Sequence, residues 1–336
     1  MTELSAEPPE NALQHTPFKF TGDGFEYFKI CIVNIMLTII TFGIYSAWAT
    51  VRNNKYLYSN LHLDGNHFRY LANPIAILKG RVIAVIAVAA YVLLGVISPF
   101  FSIVLGLALF LSIPYFYNQS LAFKMRMVAY KNIQFRFKGT YEGTLMVLFV
   151  WPMLSMMTFG ILLPKALQQT NEYIVNSTSY GTSPFKFHGT YKDYGLILLM
   201  ILGAALAFVV VAMTFFVIFP EFIFVLPILA VIFYLLLVTY AMVSMTNLFY
   251  QRLSLVEHEF DCQLTTLGLI KVAMINLFLI VITLGLYVPA AHIRMLKYSS
   301  ENITMKVNGN LDNFSAAEAI EVSALGEEMG QAFDFT

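Results

Sequence analysis

The chain has 336 residues, of which 58% are hydrophobic and only 12% are charged, and its mean hydropathy is +0.70. A soluble domain carries about 25% charged residues, so this composition excludes an ordinary soluble protein and indicates one built for a bilayer. The formal net charge is zero, so nothing indicates a nucleic-acid partner.

Strand-like segments border the apolar regions. Residues 1–17 are polar and contain proline, with no charged-then-apolar leader, so we expect a disordered cytoplasmic tail there. Apolar and polar residues then alternate over six short stretches, which begin at Phe18, Phe68, Phe135, Phe185, Phe260 and Met305. A period of two requires one covered and one wet face, so Phe18 and Phe20 should be covered and Lys19 and Thr21 exposed. We expect these strands to pair in a small sheet on one face of the membrane.

A short motif occurs three times and organises the chain. It reads TFGIYSAWA from Thr41, TFGILLPKA from Thr158 and TLGLYVPAA from Thr283. A phenylalanine precedes each copy and a tyrosine follows it at constant spacing: Phe18, Phe135 and Phe260 before, Tyr56, Tyr173 and Tyr298 after. Constant spacing in three places indicates an internal repeat.

The third motif residue is glycine in every copy: Gly43, Gly160 and Gly285. Glycine in a helix interior costs about 1 kcal/mol against alanine, so three placements at one phase suggest a geometric need. Two needs fit, a break that lets the chain turn or a close contact between backbones. We hypothesise that the three glycines meet near a pseudo-axis, and that the preceding threonine bonds a carbonyl freed by the break.

The apolar segments follow the order A-B-C, A-B-C, A, in which A contains the motif and B–C is a hydrophobic hairpin. The sequence predicts an all-α polytopic membrane protein with this internal repeat and with short β-strands on the cytoplasmic side. The expected divisions are repeat units over residues 18–134, 135–259 and 260–310, followed by an acidic disordered tail, 311–336.

Charge predicts the topology. Lysine and arginine are retained on the cytoplasmic side, and the B–C turns near Pro99 and Pro220 carry neither residue. If every A segment enters the bilayer and returns at its T-x-G break, all 20 basic residues and both termini lie inside, with four true spans. The alternative is that each A segment crosses once, which would invert the second unit.

Polar residues within apolar segments are candidates for function, because polar atoms at membrane depth are costly. The A segments supply a candidate polar lining for a permeation route: Asn34, Thr38, Thr41, Asn276 and Thr283. The alternative is hydrogen bonding between packed helices.

A basic, aromatic stripe follows the motif in the first and third copies. Aromatic and basic residues belong at headgroup level, so the stripe predicts contact with anionic lipid headgroups or with an anionic solute. Its members are Tyr45, Trp48, Arg52, Lys55, Tyr287, Arg294 and Lys297. The second copy has Gln169 and Glu172 in place of the basic residues.

The C helices end in polar clusters that could form the inner mouth of a cavity or could simply leave the hydrocarbon. The candidates are Asn118, Gln119, Arg126, Asn247 and Arg252. No nucleotide-binding, metalloprotease or serine-hydrolase motif is present, so we expect no enzyme activity, no cofactor and no metal site. The two cysteines, Cys31 and Cys262, lie in no C-x-x-C pair and should be buried or half-buried free thiols.

The first copy resembles the opening of the YjgN family of bacterial inner-membrane proteins. The resemblance rests on F-x-F-x-G-x-G-x-E-Y-F-K from Phe18, T-x-G-I-Y-x-x-W-A-x-x-R from Thr41 and L-D-G from Leu63, and extends to about Asn310. It implies a multi-pass protein of the bacterial inner membrane and brings no activity. One departure is Asn53-Asn54, where the family is more basic.

Two functions fit these features. The one that the sequence favours is a transporter or channel for a small solute or ion, with its route lined by the A segments. The second is a non-transporting scaffold or stress-response factor that binds a partner at its cytoplasmic face. The bilayer itself is the expected partner, and a homo-oligomer or another membrane protein stays open.

Overall fold

A computed structural model describes residues 14–222, 224–309 and 311–333. Its strands are β1 (Gln14–Pro17), β2 (Lys19–Phe20), β3 (Leu61–Leu63), β4 (Asn66–Tyr70), β5 (Val128–Tyr130), β6 (Ile133–Phe137), β7 (Thr178–Tyr180), β8 (Ser183–Phe187), β9 (Leu253–Leu255), β10 (His258–Cys262) and β11 (Ile303–Val307). Its helices are α1 (Gly24–Ile40), α2 (Ser46–Ser59), α3 (Pro74–Ile97), α4 (Pro99–Arg126), α5 (Tyr141–Leu145), α6 (Trp151–Met157), α7 (Leu163–Asn176), α8 (Tyr191–Ile218), α9 (Leu226–Gln251), α10 (Thr266–Ile282), α11 (Val288–Glu301) and α12 (Leu311–Phe333). A π-helical turn, Met146–Val150, joins α5 to α6.

The strands form one antiparallel sheet in the order β1-β11-β10-β9-β8-β7-β6-β5-β4-β3-β2. Its two edge strands, β1 and β2, are separated in the chain only by Phe18, so a single extended segment pairs with β11 on one side and with β3 on the other. The Phe18 N–H also donates to the Ile303 carbonyl at 3.0 Å. The sheet therefore nearly closes into a barrel, which leaves no long edge unpaired.

The expected all-α class is wrong. Each strand has only two to five residues, so each looks in the sequence like a minor appendage between long helices. Among the described residues, eleven such pieces nevertheless join into one sheet, because β4, β6, β8 and β10 each change partner along their length and β11 pairs with both β10 and β1. In β6, for example, Ile133 pairs with Tyr130 of β5, whereas Phe135 pairs with Tyr180 of β7.

The period-two expectation for the first strand is confirmed. Phe20 is buried and Phe18 is half-buried, whereas Lys19 and Thr21 are exposed. Phe18 packs inside the barrel against Phe68, with ring centroids 6.3 Å apart. Phe20 packs instead against Tyr27 of α1 and Ile293 of α11, so the covered face of this segment contacts both the barrel core and the helices.

Five helical hairpins extend from one end of this barrel. Three are the A segments, namely α1–α2, α5–α6–α7 and α10–α11, and two are the B–C hairpins, α3–α4 and α8–α9. Neighbouring hairpins pack in chain order, and α11 packs against α1, so the helices form a ring. At this last contact, a Cβ added to Gly24 would lie 3.0 Å from the Cβ of Ala290, so the two helices approach closely.

In the part of the chain that the structure describes, four helices are long and apolar enough to cross a membrane: α3, α4, α8 and α9. At most 6% of the residues in their most apolar windows are buried within the protein, so their side chains require hydrocarbon around them. These are the four spans that the re-entrant alternative expects.

The structure bears differently on the two segments that were expected to be disordered tails. Residues 1–13 lie outside the described residues, whereas Gln14–Pro17 are a strand rather than tail. The expected disordered tail after residue 310 is instead the helix α12, and its first turns pack on the barrel through Leu311, Phe314 and Glu318. Nothing in the fold tests the repeat-unit boundaries, which stay a prediction.

Candidate functional site

Each T-x-G motif forms the tip of a helical hairpin. The residue before the glycine has a left-handed φ of 50°, and the glycine lies at φ 87–92°, in Phe42–Gly43, Phe159–Gly160 and Leu284–Gly285. Phe42 N–H donates to the Ile39 carbonyl at 3.1 Å, and Gly43 N–H to the Thr38 carbonyl at 2.8 Å, which is a Schellman helix end. The turn therefore supplies the geometric need for glycine.

The predicted convergence of the glycines is wrong. A Cβ built on Gly43, Gly160 or Gly285 would find no other heavy atom within 4 Å, so the three do not touch. Phe42 and Phe159 at the tips are each 98% exposed. Each turn closes only its own hairpin, and an apolar tip so exposed requires a hydrocarbon surrounding.

The motif threonine joins the two helices of each hairpin. Thr41 Oγ1 donates to the Leu37 carbonyl at 2.7 Å and accepts from the Tyr45 N–H at 2.9 Å. Thr158 and Thr283 make the same pair of bonds at 2.7–3.2 Å. The expectation that this threonine bonds a freed carbonyl is wrong, because the Leu37, Leu154 and Leu279 carbonyls already accept the helical N–H of the same threonine. The hydroxyl instead accepts the N–H at the start of the second helix, which has no partner within that helix.

The repeat tyrosine links the end of each A segment to its beginning. Its hydroxyl bonds the residue that caps the first helix, at 2.8–3.3 Å, in the pairs Tyr56–Asp23, Tyr173–Thr140 and Tyr298–Thr265. A Cβ on Gly143 or Gly268 would collide with the tyrosine, so glycine makes room for it. Both ends of each A segment therefore lie at the sheet, as the re-entrant alternative expects.

In the first hairpin, the predicted lining is only partly satisfied. Asn34 is 3% exposed and its Nδ2 donates to Asn53 Oδ1 at 2.7 Å, but its own Oδ1 is buried without a hydrogen-bond partner among the described residues. Thr38 donates to the Asn34 carbonyl at 2.6 Å. These residues border a pocket of about 450 Å³, which His292 of α11 also lines.

The third hairpin satisfies the equivalent asparagine. Asn276 is 6% exposed, its Nδ2 donates to the Ala291 carbonyl at 3.1 Å, and its Oδ1 accepts from Arg294 at 3.3 Å. The pocket beside Asn34 is shared with α11, whereas Asn276 is bonded within the third hairpin, and among the described residues no hydrogen bond joins the two asparagines. They form no continuous polar lane through the described contacts.

The basic stripe divides into an exposed part and a seam. In the first copy, Arg52 and Lys55 are exposed, and Tyr45 stacks on Trp48 with centroids 6.3 Å apart. In the third copy, Arg294 lies 5.3 Å from the Tyr287 ring centroid.

We call the junction of α1 and α11 the seam. Its pocket of about 550 Å³ is lined by Arg294 and Lys297 together with the apolar side chains of Phe25, Phe28 and Leu286. Among the described residues, neither cation forms an ion pair with a carboxylate. Asp23 also lines the pocket, but its Oδ1 is engaged in capping α1.

The candidates for an inner mouth have structural partners instead. Asn118 Oδ1 accepts from Thr144 at 2.6 Å and from Tyr173 at 2.9 Å. Asn247 forms two bonds with the backbone of Leu264. The remaining three are exposed: Gln119 and Arg126, and Arg252, which pairs with Asp193 at 3.0 Å.

Sequence reasoning missed Arg81 and the docking of α12. Arg81 of α3 donates to the hydroxyls of Ser46 and Thr50, the latter at 2.9 Å, so it ties the first B–C hairpin to the neighbouring A tip. No signal in the sequence indicated this contact, because Arg81 is far from Ser46 and Thr50 in the chain. Both cysteines are free, with Cys262 buried and Cys31 half-buried, as expected.

Helix α12 covers the barrel mouth that lies away from the helix ring. Glu318 is 4% exposed and accepts bonds from the backbone and side chains of Thr182 and Ser183 in the β7–β8 turn. Burial alone would raise the pKa of its carboxyl, but these bonds outweigh burial and hold the pKa below its usual range. Lys131 adds an ion pair with Asp312 at 2.5 Å.

The four apolar helices and the exposed apolar hairpin tips define an integral membrane protein, built from repeated hairpins around a nearly closed barrel. Residues 15–332 match the family described as bacterial protein of unknown function (DUF898). The chain belongs to this family, and no solved structure matches it.

Curated relatives confirm the resemblance to the YjgN family. The chain is 31% identical over 149 residues to "Inner membrane protein YjgN" of Escherichia coli O157:H7, covering 43% of this chain and 36% of the relative. It is 31% identical over 145 residues to the protein of the same name from Salmonella typhimurium, covering 43% and 37%. The matches thus span little more than a third of the relatives' length. Together with the four apolar helices, they support an inner-membrane location.

Proposed function

We propose that this protein is a non-transporting, non-catalytic membrane scaffold that holds an anionic phospholipid headgroup at its seam. The observation that carries the proposal is the seam pocket, where Arg294 and Lys297 lie beside an apolar wall without a carboxylate partner among the described residues. An anionic phospholipid matches both parts of this surface, because its headgroup is negative and its chains are apolar.

A scaffold is favoured over a transporter by the state of the polar groups. The motif threonines are used to hold the hairpins, and Asn276 has partners on both of its polar atoms. The barrel is lined by apolar side chains and covered by α12 at its far mouth. These features support a sealed assembly rather than a hydrated route.

The proposal places the barrel and both termini in the cytoplasm. The support is the distribution of lysine and arginine, because the two B–C turns, at the opposite ends of the spanning helices, carry neither residue. In this orientation the three A hairpins enter the inner leaflet from the cytoplasmic side, and the seam cations lie within reach of its anionic headgroups.

The test is the thermal stability of the full chain in nanodiscs made of phosphatidylcholine alone or with added phosphatidylglycerol. Each basic group near an anionic surface contributes about 1 kcal/mol, so the pair should favour phosphatidylglycerol by about 2 kcal/mol, roughly 30-fold. We expect phosphatidylglycerol to raise the melting temperature of the wild type. The variant Arg294→Gln with Lys297→Gln should lose that increase.

A matched control removes two cations from the barrel strands, Lys186→Gln with Lys306→Gln, and should retain the full response. An equal response in the seam variant and the wild type would contradict the proposal, because the lipid effect would then come from net charge alone.

One observation favours transport as a second candidate: the buried and unpartnered Oδ1 of Asn34 beside a pocket. Stopped-flow swelling of proteoliposomes with small polyols tests it. Permeation above that of empty liposomes, lost in Asn34→Leu and retained in Asn276→Leu, would favour transport over the scaffold.

A further inference from the structure

The centre of the barrel is surrounded by a ring of aromatic side chains, one from each of β4, β6, β8 and β10 and one, Phe18, from the residue that links β1 to β2. Neighbouring ring centroids lie 6.2–6.5 Å apart along the series Phe18, Phe68, Phe135, Phe185 and Phe260. The sixth place in this ring is on β11 and carries Met305. Met305 is 2% exposed and lines the same core.

The spacing of this ring leaves its middle unfilled. In a regular circle of six side chains, the distance from the centre to each side chain equals the distance between neighbours. The diameter of the circle follows from the number of strands in the barrel. A cavity of about 230 Å³ lies there, bounded by the phenylalanines, Met305 and Leu311. Apolar cavities of about 150 Å³ already accept benzene or xenon, so this one is large enough for such a guest.

The cavity wall offers nothing to water. The two tyrosines that border it direct their hydroxyls into the wall, since Tyr130 donates to the Leu63 carbonyl at 2.8 Å and Tyr180 donates to the Tyr130 carbonyl at 3.0 Å. A water molecule needs two to four polar partners to occupy a cavity. The lining therefore selects an uncharged apolar occupant.

Helix α12 closes this cavity at the far mouth. Leu311 lies in the lining, and Phe314 stacks on Tyr180 with centroids 6.2 Å apart and meets the His258 ring at 4.7 Å. Glu318 fastens the helix to the β7–β8 turn through four hydrogen bonds. The lid is thus attached by one face of a helix, without a covalent link to the turn that it covers.

We propose that the barrel is a binding site for a small hydrocarbon guest and that α12 is its lid. The guest is uncharged, apolar and about the size of an aromatic ring or a short stretch of acyl chain. It contacts the phenylalanine ring and Met305 and is released when α12 lifts. This site is separate from the seam and does not depend on the lipid site proposed there.

Benzene is the probe, and the full chain in nanodiscs of constant lipid composition is the sample. Benzene should shift the Met305 methyl resonance of 13C-methyl-methionine protein in a saturable way, because a bound ring lies against that methyl group. Saturating benzene should also raise the melting temperature of the wild type.

The decisive variant is Met305→Phe, which adds the missing sixth ring and fills the cavity. It should melt higher than the wild type without benzene and should lose the benzene-dependent increase. Met153→Phe makes the same change at a position that is 62% exposed on α6, and should respond to benzene as the wild type does.

An equal benzene response in Met305→Phe and the wild type would overturn the proposal, since it would reflect partition into the bilayer. An unchanged Met305 methyl resonance in the wild type would overturn it as well, and this second readout needs no variant to fold.

Discussion

Replacing a motif glycine with alanine isolates the cost of its backbone conformation. Gly43 has φ +92°, and an added Cβ there would meet nothing within 4 Å. Gly80, inside α3, also has open space around an added Cβ, but its backbone is helical. The two positions therefore differ in dihedral angle and not in steric room, which makes Gly80 a matched control.

The expected effects have opposite signs. Holding a non-glycine residue in this strained region costs about 1–3 kcal/mol, so Gly43→Ala should destabilise the chain by that amount. Alanine in a helix is better than glycine by about 0.8–1.0 kcal/mol, so Gly80→Ala should stabilise it. Gly160→Ala and Gly285→Ala should behave like Gly43→Ala, because their φ values are +87° and +91°.

The assay is thermal unfolding of the purified protein in one detergent, with yield from the membrane fraction as a second readout. Because the space at the tip is open, Gly43→Leu should cost about as much as Gly43→Ala. A far larger penalty for leucine would refute the reasoning, since it would restore the close contact of backbones that the structure excludes. Equal stability of Gly43→Ala and Gly80→Ala would refute it too.

Three further predictions follow from the contacts. Tyr173→Phe removes one of the two partners of Thr144, which is 0% exposed and keeps its bond to Asn118. It should cost about 0.5–1.5 kcal/mol in the free energy of unfolding, measured against Tyr234→Phe on a lipid-facing helix surface. Because the pKa of Glu318 is depressed in the folded protein, its stabilising effect is present above the unfolded pKa and lost as pH falls through the folded value. The protection of the α12 amides, which is the intrinsic exchange rate divided by the measured rate at the same pH, should therefore fall on acidification. Glu318→Gln should show the lower protection already at neutral pH and little further change. Cysteines placed at Asn60 or Asn176, after Cys31 and Cys262 are replaced, should resist labelling from the periplasm, and labelling there would contradict the cytoplasmic barrel.

The amino-acid sequence alone determined that the motif recurs three times and that the chain is a membrane protein. Three copies of T-x-G with constant flanking spacing predict three equivalent hairpins, and the uncharged stretches predict four spans, because these signals are local and periodic. The period of two likewise predicted which face of the first strand is covered.

Only the tertiary structure shows how those local elements assemble into a sheet and which contacts their side chains make. Strands of two to five residues carry too little sequence to specify their partners. The nearly closed sheet therefore could not be predicted, because its two edges are joined only through the segment around Phe18. The same limit applies to the site residues. Whether Asn34 and Asn276 line a route or satisfy a neighbour depends on side chains that are distant in the chain. The Oδ1 of Asn276 has a partner because Arg294 donates to it, whereas the Oδ1 of Asn34 has none among the described residues.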